Sequence, residues 1–168
     1  MGTPDQVELL LLDVDGVLTD GSIWYDDAGQ ELKRFHVRDG TGIKAWISLG
    51  FHIGIVTGRG GPTVRHRMRD LGVTQIESRV RDKLAAARAI ASRVGVPLDK
   101  AACLGDDWPD LSMMRGVAYP MAVADADAIV RKHAAWVTDT PGGQGAAREA
   151  IEHLLRARGL LDRARQAF

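Results

Sequence analysis

Cysteine is the scarcest chemistry in this chain. Cys103 stands alone among 168 residues, so no intrachain disulfide can form and nothing points to an oxidising compartment. Net charge is missing as well, because 22 Lys and Arg balance 22 Asp and Glu. A dedicated nucleic-acid or membrane-surface protein should be dominated by one sign. Neither partner is therefore expected, whereas formal neutrality eases self-association. No apolar run approaches the roughly 20 residues that span a bilayer. The opening "MGTPDQVE" has neither the charged start nor the apolar stretch of a signal peptide, which leaves the cytoplasm as the expected location. Five scattered histidines show no ligand spacing, so no zinc site is expected. Repeats and low-complexity tracts are absent too.

What remains is an ordinary globular composition, 45% hydrophobic and 26% charged, in a chain long enough for one domain with a real core. Residues 1–168 read as a single domain, with a core over 8–160 and a tail over 161–168. "VELLLLDV" is a continuous apolar run, as expected of a central strand covered on both faces. "GSIWYDDAGQELKRF" reads as a hairpin turning at "DDAGQ". "GTGIKAWISLG" has helical spacing at Ile43, Trp46 and Ile47. Then come a strand at "FHIGIVTG", a helix at "PTVRHRMRDLG", a strand at "VTQIES", a helix at "DKLAAARAIASRVG" and a strand at "KAACLGDD". A short helix, two small strands around "DADAIVRKH" and a closing amphipathic helix, "GAAREAIEHLLRARG", complete the chain. Alternating strands and helices predict an α/β fold: a doubly wound, Rossmann-like parallel sheet with a β-hairpin inserted after the first strand.

Ligands of such sheets bind beyond the carboxyl ends of the strands. The first strand ends on Asp13 and Asp15, the second on Thr57, and the fourth on Asp106, Asp107 and Asp110, while Lys83 opens the helix after the third. Each has an ordinary reading by itself: a capping or turn pair, a turn hydroxyl, an N-cap pair, a solvated lysine. Their succession at strand ends is the signal. Carboxylates without a Cys–His set call for a hard cation with oxygen ligands. An EF-hand loop counted from Asp13 fails, because position 6 is Leu18 and position 12 is Trp24. Mg²⁺ fits better, since it keeps places for water and phosphate. With a lysine and a hydroxyl to balance phosphoryl oxygens, the set suits phosphoryl transfer. One carboxylate would act as nucleophile and another as acid and base. Trp24, Trp46 and Trp136 read as packing residues, Trp108 as a pocket residue, and Cys103 as inert core.

"DVDGVLTDG", "TGR", Lys83 and "GDDWPD" together resemble the four motifs of haloacid-dehalogenase-type phosphatases. "GQELKRFHVRDGTGIKAW", "MAVADADA" and "VTDTPGGQGAAREAIEHLL" extend the resemblance over roughly residues 8 to 160, to the 3-deoxy-D-manno-octulosonate 8-phosphate phosphatase family. That likeness implies a capless fold with Asp13 as nucleophile and Mg²⁺ ligand. It implies Asp15 as acid and base, touching substrate and offering its backbone carbonyl to the metal. Thr57 and Lys83 would hold the phosphoryl group, Asp106 would ligate Mg²⁺, and Asp107 and Asp110 would support the ligands. Contacts to the sugar-acid phosphate are implied for His36, Val37, Arg38, Asp39, Gly40, Lys44, Arg59, Arg67 and Lys83.

None of the segments between motifs has room for an independently folded cap, which usually needs about 50 residues. An open site suits a lid lent by another subunit, and a homotetramer is expected. Apolar faces at Ile23, Trp24, Leu154 and Leu155 favour association; the hairpin is the candidate assembling surface, and "TPGGQGAARE" is a candidate strap to a neighbour's site. Alternative readings are a phosphatase for a nonulosonate 9-phosphate, a phospho-receiver domain and a non-enzymatic partner of a sugar-nucleotide synthetase.

Overall fold

The computed structural model describes residues 2–167. Leu9–Leu12 form β1, and all four side chains are buried. A strand this apolar must be covered on both faces. It lies inside a six-stranded, wholly parallel sheet, between β4 (His52–Thr57) and β6 (Ala101–Gly105). Outside β4 lies β5 (Gln75–Ser78); outside β6 lie β7 (Tyr119–Ala122) and β8 (Trp136–Val137). Leu12 registers with Ile55 on one side and Leu104 on the other. That register puts Asp13 and Asp106, which follow β1 and β6, and Thr57, the last residue of β4, at one end of the sheet.

Helices flank the sheet: α1 (Val37–Ser48), α2 (Pro62–Leu71), α3 (Lys83–Val94), α4 (Leu111–Met114), α5 (Ala128–His133), α6 (Ala146–Ala157) and α7 (Leu161–Arg165). The Asp82 side chain caps α3 by accepting from the amides of Leu84 and Ala85, both at 3.0 Å. This cap sets Lys83 at the first helical position. The predicted hairpin forms as a separate antiparallel pair, β2 (Trp24–Tyr25) and β3 (Glu31–Leu32), with Trp24 opposite Leu32. None of the helices among the described residues is long and apolar enough to cross a membrane.

Three expectations shift. Helix α1 begins at Val37 rather than Gly40, with His36 as its N-cap, so "VRDG" is its first turn. Asp39 suits that position, since an acid near a helix N-terminus complements the dipole. Leu154 and Leu155 are buried in the chain's own core; they lie on the inner face of α6 and offer no associating surface. The segment after 160, read as a tail, folds as α7 and buries Ala164.

Candidate active site

The centre of the site is a buried ionic trio. Lys83 Nζ lies 3.0 Å from Asp13 Oδ1 and 2.6 Å from Asp110 Oδ1, and all three residues are buried. Burial opposes the Lys83 ammonium, but the two carboxylates outweigh it and hold its pKa above the ordinary value. Burial and the Asp110 charge push Asp13 up to about 6, against the pull of Lys83. Thr57, the last residue of β4, is buried beside them; its hydroxyl oxygen accepts the Arg59 amide at 3.2 Å.

Asp13, Asp106 and Asp110 bring carboxylate oxygens within 4.8 Å of one another. Those of Asp110 are already committed. Its Oδ1 takes the Lys83 ammonium, and its Oδ2 accepts the amides of Asp106 at 3.1 Å and Asp107 at 3.3 Å. Asp110 therefore holds the frame. Asp106 differs: its Oδ1 is buried without a hydrogen-bond partner. Burial, Asp13 and Asp110 together push its pKa up to about 8. A buried carboxylate oxygen with no partner, beside a second carboxylate, fits a hard divalent cation. Asp107 is exposed, and it is its backbone amide that joins the cluster.

Glycines close the loop after β1. Gly16 has φ +94°, and a Cβ there would stand 2.0 Å from Asp106 Oδ2. A Cβ on Gly142 would stand 1.7 Å from the Gly16 carbonyl oxygen. Gly143 donates its amide to Val17 O at 2.9 Å, and Gly142 donates to Asp125 Oδ1 at 2.9 Å. The "TPGGQG" segment is thus packed against its own chain's first loop. Glycine here serves close backbone approach.

The hairpin leans on the site from the other side. Lys33 bonds to Asp15 Oδ1 and lies 3.3 Å from Glu31 Oε1. Arg59 Nη2 reaches the same Glu31 oxygen at 2.7 Å and the Tyr25 hydroxyl at 3.3 Å. The Thr63 hydroxyl donates to the Glu31 carbonyl at 3.2 Å. Asp15, the site and the hairpin are thereby joined by one chain of charges.

The remaining expected substrate residues fall into separate settings. His36, Asp39, Gly40 and Arg67 line one small cavity. There Asp39 Oδ1 accepts the Arg148 amide at 2.8 Å, while Asp39 Oδ2 and His36 Nδ1 are buried without partners. Burial pushes Asp39 up to about 6. A Cβ on Gly40 would meet Arg67 Nη2 at 2.5 Å. Arg38 faces a different, polar cavity with Thr140, Gln144 and Arg148. Val37 and Lys44 are exposed on α1.

Sequence reasoning missed Lys33 and Glu31. The available signal was two opposite charges two residues apart in "ELK", a spacing that puts both on one face of a strand. It also passed over Asp125, which anchors the glycine loop.

Known proteins resemble the whole of this arrangement. The profile of the haloacid dehalogenase-like hydrolases matches residues 73–149. The 3-deoxy-D-manno-octulosonate 8-phosphate phosphatase KdsC of Escherichia coli is 39% identical over 165 residues, 98% of this chain and 88% of its own length. The crystal structure of the corresponding phosphatase from Moraxella catarrhalis, in complex with magnesium, phosphate and KDO, superimposes with a TM-score of 0.94. It is 34% identical, with 98% of this chain and 95% of that one covered. A cobalt-bound form of the Haemophilus influenzae deoxy-D-mannose-octulosonate 8-phosphate phosphatase gives a TM-score of 0.92 at 36% identity, covering 95% and 90%.

Proposed function

We propose, from the premise that this chain belongs to the haloacid dehalogenase-like hydrolases and within them to the 3-deoxy-D-manno-octulosonate 8-phosphate phosphatase family, that it hydrolyses that sugar-acid phosphate through an aspartyl-phosphate on Asp13. The observation that carries the reading is the buried end of β1. Asp13 faces the Lys83 ammonium at 3.0 Å beside the unpartnered Oδ1 of Asp106. This pairs a nucleophile with charge that would balance phosphoryl oxygens.

In the first half-reaction an Asp13 oxygen bonds to phosphorus, and the ester P–O bond breaks with its electron pair on the sugar oxygen. Asp15 gives that oxygen a proton. In the second half-reaction Asp15 takes a proton from water as the water oxygen attacks phosphorus; phosphate leaves and the Asp13 carboxylate is restored. Thr57 and Lys83 hold the phosphoryl oxygens throughout. Asp13 and Asp106, with the Asp15 backbone carbonyl, would hold Mg²⁺, while Asp107 and Asp110 support them. Bound there, the ion neutralises phosphoryl charge and orients the group for in-line displacement.

His36 to Gly40, Lys44, Arg59 and Arg67 are proposed to read the sugar acid, arginine being suited to carboxylates and phosphates alike. Trp24 and Leu32, paired across the hairpin, expose an apolar face, which supports assembly into a homotetramer through that hairpin. The product is the free sugar acid for lipopolysaccharide precursor synthesis in the cytoplasm, and the whole chain acts as one domain. Steady-state phosphate release from the octulosonate 8-phosphate and a nonulosonate 9-phosphate, side by side, tests the substrate. A preference for the nine-carbon ester would reassign it. Asp13→Asn should abolish release from both, and normal turnover by that variant would remove the nucleophile from the mechanism.

A further inference from the structure

We propose that Lys33 is a positioning residue for Asp15, and that the hairpin carries it into the site for that purpose; the inference rests on the phosphatase reading above. The hairpin is otherwise an exposed structure. Trp24 is 61% exposed and Leu32 55%, yet the Lys33 side chain is only 2% exposed. Burying an ammonium is costly unless it is paired, and Lys33 is paired twice, with Asp15 Oδ1 and with Glu31 Oε1. Strand alternation explains how it gets there. Leu32, the last residue of β3, points outward, while Glu31 and the next residue, Lys33, meet on the inner side.

The ion pair leaves the acid in a useful state of asymmetry. Asp15 Oδ1 is held by Lys33, while Asp15 Oδ2 is buried with no hydrogen-bond partner. One oxygen is thus anchored and the other is free to meet the leaving oxygen. A two-stranded hairpin is marginal by itself, and this same inner face ties it to the body of the protein: Lys33 to Asp15, the Glu31 carboxylate to Arg59, the Thr63 hydroxyl to the Glu31 carbonyl, and Arg59 to the Tyr25 hydroxyl. Docking of the hairpin and orientation of the proton-transfer group are therefore one event. Neither the D-x-D motif nor the strand-end residues contain this contact.

In the step concerned, the Asp13–phosphorus bond forms as the P–O bond to the alcohol breaks, and the Asp15 proton passes to the departing oxygen. An alkoxide needs that proton, whereas p-nitrophenolate leaves readily without it. The test compares kcat/KM, which reports this first half-reaction, for the sugar-acid phosphate and for p-nitrophenyl phosphate. Lys33→Met should lower kcat/KM about a hundredfold for the alkyl ester, the cost of misplacing a catalytic group by about 1 Å, and leave the aryl ester within about threefold. Lys33→Arg should recover most of the loss. In an Asp15→Asn background, Lys33→Met should add nothing further on the alkyl ester. Equal losses on both esters, an undiminished alkyl rate, or the same loss with Asp15 already replaced would each overturn the inference by making Lys33 merely structural. Should Lys33→Met fail to fold, Lys33→Gln is read by the same ratio. A wild-type protein that releases phosphate from neither ester would overturn the phosphatase reading itself, and the role of Lys33 with it.

Discussion

Replacing Lys83 by methionine would remove a charge while keeping the length and most of the volume of the side chain. In the wild type its ammonium stands 3.0 Å from Asp13 and 2.6 Å from Asp110, with all three groups buried. At an effective dielectric constant of about 20, each contact represents roughly 5–6 kcal/mol of gross attraction. The net value is smaller, because withdrawing three charges from water costs several kcal/mol per ion. Deleting one partner of a buried ion pair destabilises by about 3–5 kcal/mol, since it strands the charge left behind. Here it strands two. For a chain of this size that loss should lower Tm by roughly 6–20 °C. Thermal unfolding followed by circular dichroism, in chelator at pH 8, reads it directly. A divalent cation beside Asp13 and Asp106 replaces part of the lost charge, so adding Mg²⁺ should raise Tm more in Lys83→Met than in the wild type. Phosphate release should stay at least about a thousandfold down even then, because the proposed phosphoryl contact is gone. A loss below about 1 kcal/mol in chelator would refute the reasoning; it would mean that Asp13 and Asp110 are compensated by something other than Lys83.

Gly142→Ala should cost about 2 kcal/mol or more and impair turnover, because its Cβ would meet the Gly16 carbonyl at 1.7 Å and displace the loop that carries Asp15; urea unfolding together with kcat checks both effects, and unchanged values would remove the glycine contact from the argument. Asp39 titrates at about 6 in the folded chain, raised by burial, against about 4 unfolded. Its neutral form is the one that the fold favours, so the stability it contributes is complete below pH ~4 and lost as pH rises to ~6. Wild type should accordingly lose roughly 1–3 kcal/mol relative to Asp39→Asn across that window; parallel stability curves for the two proteins would contradict the shift. Chelation should abolish phosphate release and Mg²⁺ should restore it, with Asp106→Asn needing at least about tenfold more metal for half-maximal activity; activity indifferent to chelator would take the cation out of the site.

The order of elements and the gathering of charged residues at the strand ends could be read before any coordinates. A run of four leucines ending in D-x-D has few places to go except the middle of a covered sheet, with its acids at an open edge. Polar residues at the ends of further strands then arrive at the same edge, because parallel strands in register end together. These are local facts: burial along one strand and an apolar stripe on α6. The tertiary structure decided what depends on approach between distant segments. Lys33 meets Asp15 only because the hairpin folds back over the loop after β1. The "GGQG" segment, a flexible strap in outline, is wedged against Gly16 because Gly142 has no Cβ to keep the two backbones apart. Leu154 and Leu155 were as apolar in the sequence as Trp24, yet they are buried while Trp24 is exposed, since α6 packs on α1 and the hairpin packs on little besides its charged inner face. Arg38 and Arg67, both near Asp39, line different cavities because one extends from the first turn of α1 and the other reaches back from α2. Residue type and spacing along one element set which chemistry is present, while register, helix docking and the close passage of glycine backbones set which of those groups can touch.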